Sequence, residues 1–180
     1  FGLPKTHTLS HARAENQEHL RFHVWLLSFF LGIRLSTTDA GYLDSTPIKP
    51  GALVDFILKH DDLIKAIEIV DDFWSRHKSV PLFAKRLTAA IHALFVAQNP
   101  QFLQFERFIY LYTAIDACFA LASATVQSSA KTPHADRISW LCQFLGTGVP
   151  IWANKSVSGG AEIANLRNAA IHEALFADEP

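Results

Sequence analysis

The sequence contains no methionine, only two cysteines and no excess of either charge. Lysine and arginine number 16 against 17 aspartates and glutamates, giving a formal net charge of −1. This balance argues against a broad electrostatic surface for nucleic acid or for an anionic membrane. Any contact with RNA should therefore be local, or be built by two chains together. Because the chain starts at Phe1 and lacks methionine, we expect a fragment or a processed form of a longer product.

The few cysteines and the short apolar runs indicate a reducing compartment inside the cell. Neither Cys118 nor Cys142 belongs to a CxxC or Cys/His grouping, so we expect both to be buried, reduced thiols. The longest apolar run, residues 24–33, is shorter than the ~20 residues that span a bilayer, and no cleavage region of a signal peptide follows it. The sequence therefore predicts a soluble cytoplasmic protein with no membrane partner.

Patterns of common catalytic and metal sites are also missing. There is no GxSxG and no HExxH, and no glycine-rich stretch has the strand–loop–helix context of a phosphate-binding loop. Histidine or glutamate does recur every four residues near the start, at His7, His11, Glu15, His19 and His23. Such a spacing on a helix can bind zinc, but a polar stripe or the end of a neighbouring domain is the preferred interpretation. The sequence predicts no cofactor and no metal site.

Helical periodicity dominates the chain, and no convincing alternation of apolar and polar residues is present. Apolar spacing, proline starts and glycine ends predict helices over about 11–33, 60–77, 81–98, 101–127, 132–146 and 160–177. Pro81 is expected in a first helical turn, and Gly146 just past a helix end. The order of elements predicts an all-α fold, an antiparallel bundle of about five to six helices.

Spacing assigns three groups of residues to the core or to solvent. The fourth helix has an apolar stripe wide enough for the centre of a bundle, formed by Phe105, Phe108, Tyr112, Ile115, Phe119 and Ala122. Trp140 and Trp152 are either core residues or platforms for base stacking, and core packing is favoured. The adjacent Asp71 and Asp72 are interpreted as part of a solvated helix face.

The stretch LRNAAIHEALF, residues 166–176, places polar side chains in a helix-forming segment. In a regular α-helix Asn165, Asn168 and His172 share an arc of about 60°, and Arg167 points about 140° away from His172. The long arginine stem can bring the guanidinium back over this arc. An imidazole transfers protons near neutral pH, and a guanidinium binds phosphate. A two-fold dimer of this helix would supply the second proton-transfer group.

The plain alternative is that these residues belong to an ordinary helix surface. Arg167 would then form an ion pair with Glu162 or Glu173, and His172 would be a polar residue facing solvent. An arginine and a histidine five residues apart occur by chance in many helices. This interpretation predicts a helical interaction domain in which the motif is a coincidence.

R-N-A-A-I-H nevertheless resembles the R-x4-H motif of HEPN domains, which are small α-helical bundles of prokaryotic defence and toxin systems. The segment ERFIYLYTAIDACFALA resembles the second major helix of that family, with Asp116 where an acidic residue is often found. The resemblance covers about residues 80–177. It divides the chain into an N-terminal helical and irregular segment, 1–59, of unknown role, and a HEPN-like helical domain, 60–180.

The resemblance implies a metal-independent endoribonuclease with its site at a homodimer interface. His172 would deprotonate the ribose 2′-hydroxyl, Arg167 would stabilise charge on the phosphoryl oxygens, and Asn168 would orient the phosphate or the histidine. Asp116 and Asn165 are supporting residues. The expected partners are RNA, a second copy of the chain, and a cognate antitoxin or partner domain. The alternative is a non-catalytic HEPN-like module that dimerises and binds a nucleotide or a protein.

Overall fold

The computed structural model describes residues 12–32, 62–126, 132–154 and 162–173, with the backbone alone at 172 and 173. In these ranges the chain forms six α-helices. They are α1 (Gln17–Leu31), α2 (Leu63–His77), α3 (Pro81–Ala97), α4 (Gln104–Thr125), α5 (His134–Phe144) and α6 (Glu162–Asn168). A 3₁₀ turn, Ile151–Ala153, precedes α6, and a π-helical segment, Ala169–Glu173, continues it. The all-α fold and the number of helices are confirmed for this part of the chain.

The first helix begins later than predicted, at Gln17 rather than near residue 11. Asn16 is its N-cap, and the Asn16 side-chain oxygen accepts a hydrogen bond from the His19 backbone N–H at 2.9 Å. This bond satisfies one of the donors that the first turn leaves without a helical partner, so it fixes the start of α1. The helix ends at Gly32, whose φ of 65° is a left-handed conformation that glycine adopts without strain.

Two other helix boundaries follow the sequence signals directly. Pro81 is the first residue of α3, where its missing N–H costs nothing and its fixed φ suits a helix. Gly146 lies just beyond α5 with a φ of 66°, as predicted for a residue after a helix end. Both boundaries are confirmed because they depend on local backbone chemistry alone.

An aromatic core holds α1, α2 and α3 together. Its buried side chains are Phe22, Leu26, Val70, Trp74, Ile91 and Phe95. The rings of Phe22 and Trp74 lie 5.3 Å apart, joining α1 to α2. Helix α1, from the segment 1–59, therefore packs on the same core as α2 and α3. The predicted domain boundary itself lies outside the described residues.

Polar residues also lie between α1 and α2. His19 and His23 are buried, which is contrary to the polar stripe predicted for them. His23 Nε2 lies 2.6 Å from Asp71 Oδ1, so Asp71 is half-buried instead of fully solvated, while Asp72 is exposed and pairs with Arg76. The difference arises because α2 covers the side of α1 that carries these imidazoles. His7 and His11 lie outside the described residues.

Helices α3 and α4 form the most extensive helix pair of the described structure. The short connection 98–103 joins them as a helical hairpin. The Arg107 side chain on α4 reaches back, and its Nε donates to the Ala97 carbonyl oxygen at 2.7 Å. This bond satisfies a carbonyl at the end of α3 that has no partner within the helix. Helix α5 packs on α4, and α6 packs on α5.

The prediction that α4 lies at the centre of the bundle is wrong. Tyr112 is the only buried side chain among the described residues of this helix. Cys118, also on α4, is exposed, and Cys142 on α5 is half-buried, so the prediction of two buried thiols is wrong as well. By length and composition alone α4 could cross a membrane, a test that core helices of soluble proteins also pass. Apart from Tyr112, the predicted apolar stripe of this helix is half-buried, while Tyr110 and Leu111 are exposed.

We expect Phe22→Ala to lower the free energy of unfolding by about 3–5 kcal/mol, because it removes a ring at the centre of the aromatic core. Phe22 is 2% exposed. The matched control is Ile69→Ala on α2, where an exposed side chain should change stability by no more than about 0.5 kcal/mol. Urea denaturation followed by circular dichroism measures both values. A loss below about 1 kcal/mol for Phe22→Ala would mean that α1 does not belong to this core.

Candidate active site

The motif residues lie where an α-helix changes into a π-helix. Asn168 is the last residue of α6, and the π-helical segment starts at the next residue. Asparagine competes for backbone hydrogen bonds and is a poor residue for a regular helix interior. Its place at this junction accounts for its presence among good helix formers. Single π-helical turns are frequent at functional sites.

The change of helix type alters which motif residues face the same side. In a regular α-helix Arg167 and His172, five residues apart, diverge by about 140°. The turn of a π-helix, closed by i→i+5 hydrogen bonds, is wider, so residues five apart diverge less than in an α-helix. Because Ala169–Glu173 is π-helical, the angle between Arg167 and His172 is smaller than in a regular α-helix. The imidazole of His172 lies outside the described part of the structure.

Arg167 and Asn168 are brought together as a polar pair. Arg167 Nη1 donates to Asn168 Oδ1 at 2.9 Å. Asn168 is exposed and Arg167 is half-buried. Asn165 is exposed as well, one turn earlier on α6. The guanidinium therefore reaches the amide of the motif, as the length of its stem suggested.

Tyr112 connects this pair to the rest of the bundle. The guanidinium carbon of Arg167 lies 5.9 Å from the centre of the Tyr112 ring, within the range of a cation–π interaction. The Tyr112 hydroxyl donates to the backbone carbonyl oxygen of His134 at 3.3 Å. One buried side chain of α4 thus contacts both α5 and α6. The spacing of Tyr112 predicts only a place in an apolar stripe and gives no sign of these polar contacts.

The electrostatic setting keeps the Tyr112 phenol neutral. Burial raises the pKa of Tyr112, and the negative charge of Asp116 raises it further. The positive charges of Arg167 and Arg137 lower the pKa of Tyr112, but their effect is smaller than that of burial and Asp116 together. Tyr112 therefore remains a hydrogen-bond donor throughout the neutral pH range.

Asp116, predicted as a supporting residue, is held by α5. Asp116 Oδ1 accepts a hydrogen bond from Arg137 Nη1 at 2.9 Å. Asp116 Oδ2 lies 3.5 Å from His134 Nδ1, which is an ion-pair distance but too long for a good hydrogen bond. The carboxylate links α4 to α5, and it influences the motif helix through Tyr112, which lies one turn away on α4.

A cleft opens beside Asp116. It has a volume of about 320 Å³ and is lined by two guanidinium groups, those of Arg86 and Arg137, with small side chains around them. The Arg137 guanidinium also lies 5.0 Å from the centre of the Phe119 ring. Two positive charges facing one carboxylate leave a local positive excess, which suits a phosphate group. No sequence motif predicts this cleft, because Arg86 and Arg137 lie on different helices, α3 and α5.

Comparisons with family models, curated proteins and solved structures find no match to this chain. The resemblance to HEPN domains rests on the motif residues and on the order of the helices. The groups that the described structure places near one another are a guanidinium, an amide, a neutral phenol and a paired carboxylate.

The prediction that both tryptophans belong to the core is wrong for Trp152. Trp152 lies in the 3₁₀ turn before α6 and is exposed. Trp140 is half-buried, stacks on Phe144 at 5.3 Å and meets the edge of Phe119 at 5.1 Å. The spacing within α5 identified the packed tryptophan, but Trp152 follows a loop, where periodicity gives no information. Its exposed indole is available for stacking on a base.

We expect Arg167→Ala to raise the pKa of Tyr112 further, because the guanidinium favours the phenolate. Asp116→Asn should lower this pKa by removing a negative charge. Phenolate absorbance during an alkaline titration measures both changes in pKa. The transition that is missing in Tyr112→Phe is the one that belongs to Tyr112. The pKa of Tyr112 is higher in the folded state than in the unfolded chain. The stability that the neutral phenol contributes is therefore present below about pH 10 and is lost as the pH rises through the pKa of the folded state.

The matched control for this titration is Arg76→Ala, which removes an exposed arginine of α2. It should leave the titration of Tyr112 as it is in the wild type. If Arg167→Ala behaved like Arg76→Ala, the guanidinium of Arg167 would not lie over the phenol ring in solution.

Proposed function

We propose that this chain is a HEPN-type endoribonuclease that cleaves RNA without a metal ion, at a site shared by two copies, in a defence or toxin–antitoxin context. The observation that carries the proposal is the geometry of the motif. Arg167 and Asn168 form a hydrogen-bonded pair at the end of α6. The π-helical segment that follows makes the angle between Arg167 and His172 smaller than in a regular α-helix, which supports a joint role.

The proposed reaction uses side chains for every step. His172 takes the proton of the ribose 2′-hydroxyl as general base, and the 2′-oxygen attacks the adjacent phosphorus. Arg167 stabilises the charge that develops on the phosphoryl oxygens, and Asn168 holds the guanidinium in place. The bond to the 5′-oxygen breaks, and the imidazole of the second copy returns a proton to it. The products are a 2′,3′-cyclic phosphate and a 5′-hydroxyl.

The surface around the motif supports a shared site. Leu166 and Ile171, on the motif helix and its π-helical continuation, are exposed apolar side chains. An apolar surface beside polar groups is typical of a protein–protein interface. A second copy packed there would bring two motifs to one place.

Local features also support contact with RNA despite the net charge of −1. The cleft beside Asp116 offers Arg86 and Arg137 to a phosphate. Trp152 offers an exposed ring to a base. Stacking of bases on aromatic side chains together with guanidinium contacts to phosphates is the usual mode of single-stranded RNA binding.

The second candidate function is a non-catalytic module that dimerises and binds a nucleotide or a protein. One observation favours it: the Arg167 guanidinium is half-buried and is engaged within its own subunit, with Asn168 and with the Tyr112 ring. In this case the motif stabilises the contact of α6 with α4. Measurement of RNA cleavage separates the two functions.

We expect His172→Ala to reduce RNA cleavage by about 10²- to 10⁴-fold, because it removes the general base. Arg167→Ala should reduce cleavage by about 10²- to 10³-fold, because it removes stabilisation of the transition state. Cleavage of a labelled RNA by folded protein measures both, and the cyclic phosphate end should be detected by mass spectrometry. Activity should persist in EDTA while circular dichroism shows the protein folded.

The matched controls for cleavage are His77→Ala and Arg76→Ala, which remove the same residue types from α2. Both should keep the wild-type rate. Equal cleavage by the wild type, His172→Ala and Arg167→Ala would discard the catalytic proposal in favour of the binding module. The two motif substitutions also exclude a contaminating nuclease as the source of the cleavage products, because the activity of a contaminant would not change with them.

We expect Leu166→Glu to weaken the dimer, because it buries a charge in an apolar interface. Sedimentation equilibrium should show a shift towards monomer, and cleavage at low protein concentration should fall in parallel. Ile64→Glu, an exposed apolar position on α2, is the matched control and should leave the dimer intact. A monomeric wild type that still cleaves RNA would contradict the shared site.

A further inference from the structure

Two buried histidines of α1 and one carboxylate of α2 form a cluster away from α4–α6. One potential ligand atom from each of His19, His23 and Asp71 lies within 4.8 Å of the other two. His19 is 5% exposed and His23 is 2% exposed. The Asp71 side chain is 39% exposed, so the cluster is closed on the histidine side and open on the carboxylate side.

The fold holds the imidazoles in place. His19 and His23 are four residues apart on α1 and therefore lie on one side of the helix. The His19 ring stacks on the Trp74 indole, with centroids 4.5 Å apart and planes 3° apart. This contact belongs to the aromatic core that joins α1 to α2. The plane of the His19 ring is thus fixed by packing before any ligand arrives.

The hydrogen bonds of His23 indicate a cation-binding position. His23 Nδ1 lies 3.0 Å from the carbonyl oxygen of His19, which can only accept, so Nδ1 carries a hydrogen and donates it. His23 Nε2 lies 2.6 Å from Asp71 Oδ1. In a neutral imidazole of this tautomer Nε2 has a lone pair, and a lone pair facing a carboxylate at that distance requires a cation, either a proton or a metal ion. A histidine whose other nitrogen donates to a carbonyl is the usual arrangement at metal sites.

His19 supplies the third donor after one local rearrangement. Its Nδ1 accepts from the backbone N–H of Glu15 at 3.2 Å, which places the ring hydrogen of a neutral His19 on Nε2. Metal binding requires this bond to open. Glu15 precedes α1, so the bond is not part of the hydrogen-bond ladder of the helix, and releasing it leaves α1 intact.

The distances between the donor atoms of the three side chains suit a small metal ion bound by nitrogen and oxygen. Bonds of about 2.0–2.2 Å in a tetrahedral arrangement place ligand atoms about 3.3–3.6 Å apart. This separation lies between the 2.6 Å contact of His23 with Asp71 and the 4.8 Å limit of the cluster. Side-chain movements below about 1 Å therefore complete the site. The exposed side of Asp71 leaves room for water as a fourth ligand and a route for the ion.

We infer that His19, His23 and Asp71 form a binding site for a divalent transition-metal ion of the zinc type, with solvent completing the coordination. Two imidazoles and one carboxylate favour such ions over Mg²⁺ and Ca²⁺, which prefer oxygen ligands throughout. The ion replaces the proton shared by His23 and Asp71, and it ties α1 to α2. The site is separate from the motif on α6, and its test does not depend on RNA cleavage.

The test is titration of the full chain, stripped with EDTA and dialysed, with Zn²⁺ alone. We expect one ion per chain, release of protons into a weakly buffered solution, and a rise in Tm of about 5–10 °C at a hundredfold excess over Kd. Co²⁺ at the same site should give the visible absorption of a tetrahedral nitrogen–oxygen complex. Mg²⁺ at the same concentration should have none of these effects.

The decisive variants are Asp71→Asn and His23→Gln, each expected to weaken Zn²⁺ binding by about tenfold or more. The amide introduced by Asp71→Asn has the size of the native carboxylate and can still bond to His23, so this variant keeps the proposal testable if His23→Gln does not fold. His77→Gln, which removes a histidine of the same helix as Asp71, should bind Zn²⁺ like the wild type. Wild-type affinity in Asp71→Asn, or an equal loss in His77→Gln, would overturn the site.

Discussion

Tyr112 is the buried side chain through which α4 meets both α5 and α6. Its hydroxyl donates to a carbonyl of α5, and its ring receives the Arg167 guanidinium of α6. Asp116, one turn further along α4, is paired with Arg137 of α5. These contacts hold the short motif helix together with its packing on α5, where Ala164 is buried. The candidate site is therefore supported by a phenol that burial and a nearby carboxylate keep in its neutral form.

The two ends of the described structure are stabilised differently. Helices α1, α2 and α3 share a core of aromatic and aliphatic side chains, where burial supplies the free energy. Helices α4, α5 and α6 are joined by polar contacts of Tyr112 and Asp116, by two cation–π contacts and by the packing of Phe119 against Trp140. Leu111 of α4 and Leu166 of α6 stay exposed. The proposed metal site lies in the first group and the proposed RNA site in the second, so loss of one need not abolish the other.

Local backbone chemistry made part of the fold predictable. Pro81 and Gly146 fixed helix boundaries because each acts through its own φ angle, and periodicity identified the helices because each repeats its apolar residues. Burial was harder to predict, since it depends on which helix covers which face. His23 is buried because α2 packs over it, whereas α4 lacks its expected central place because few neighbours cover it. The contacts of the candidate site, such as Arg167 over Tyr112, join residues far apart in sequence and leave no local signal.

The π-helical segment after Asn168 has a consequence for how such motifs are recognised. On a uniform α-helix, side chains meant to act together recur at intervals of three, four or seven. An interval of five separates them, and a search that assumes an ideal helix would reject an arginine and a histidine at that interval as unrelated. One wider turn reduces the angle between residues five apart. In this chain the angle between Arg167 and His172 around the helix axis therefore depends on the π-helical backbone as well as on their separation in sequence.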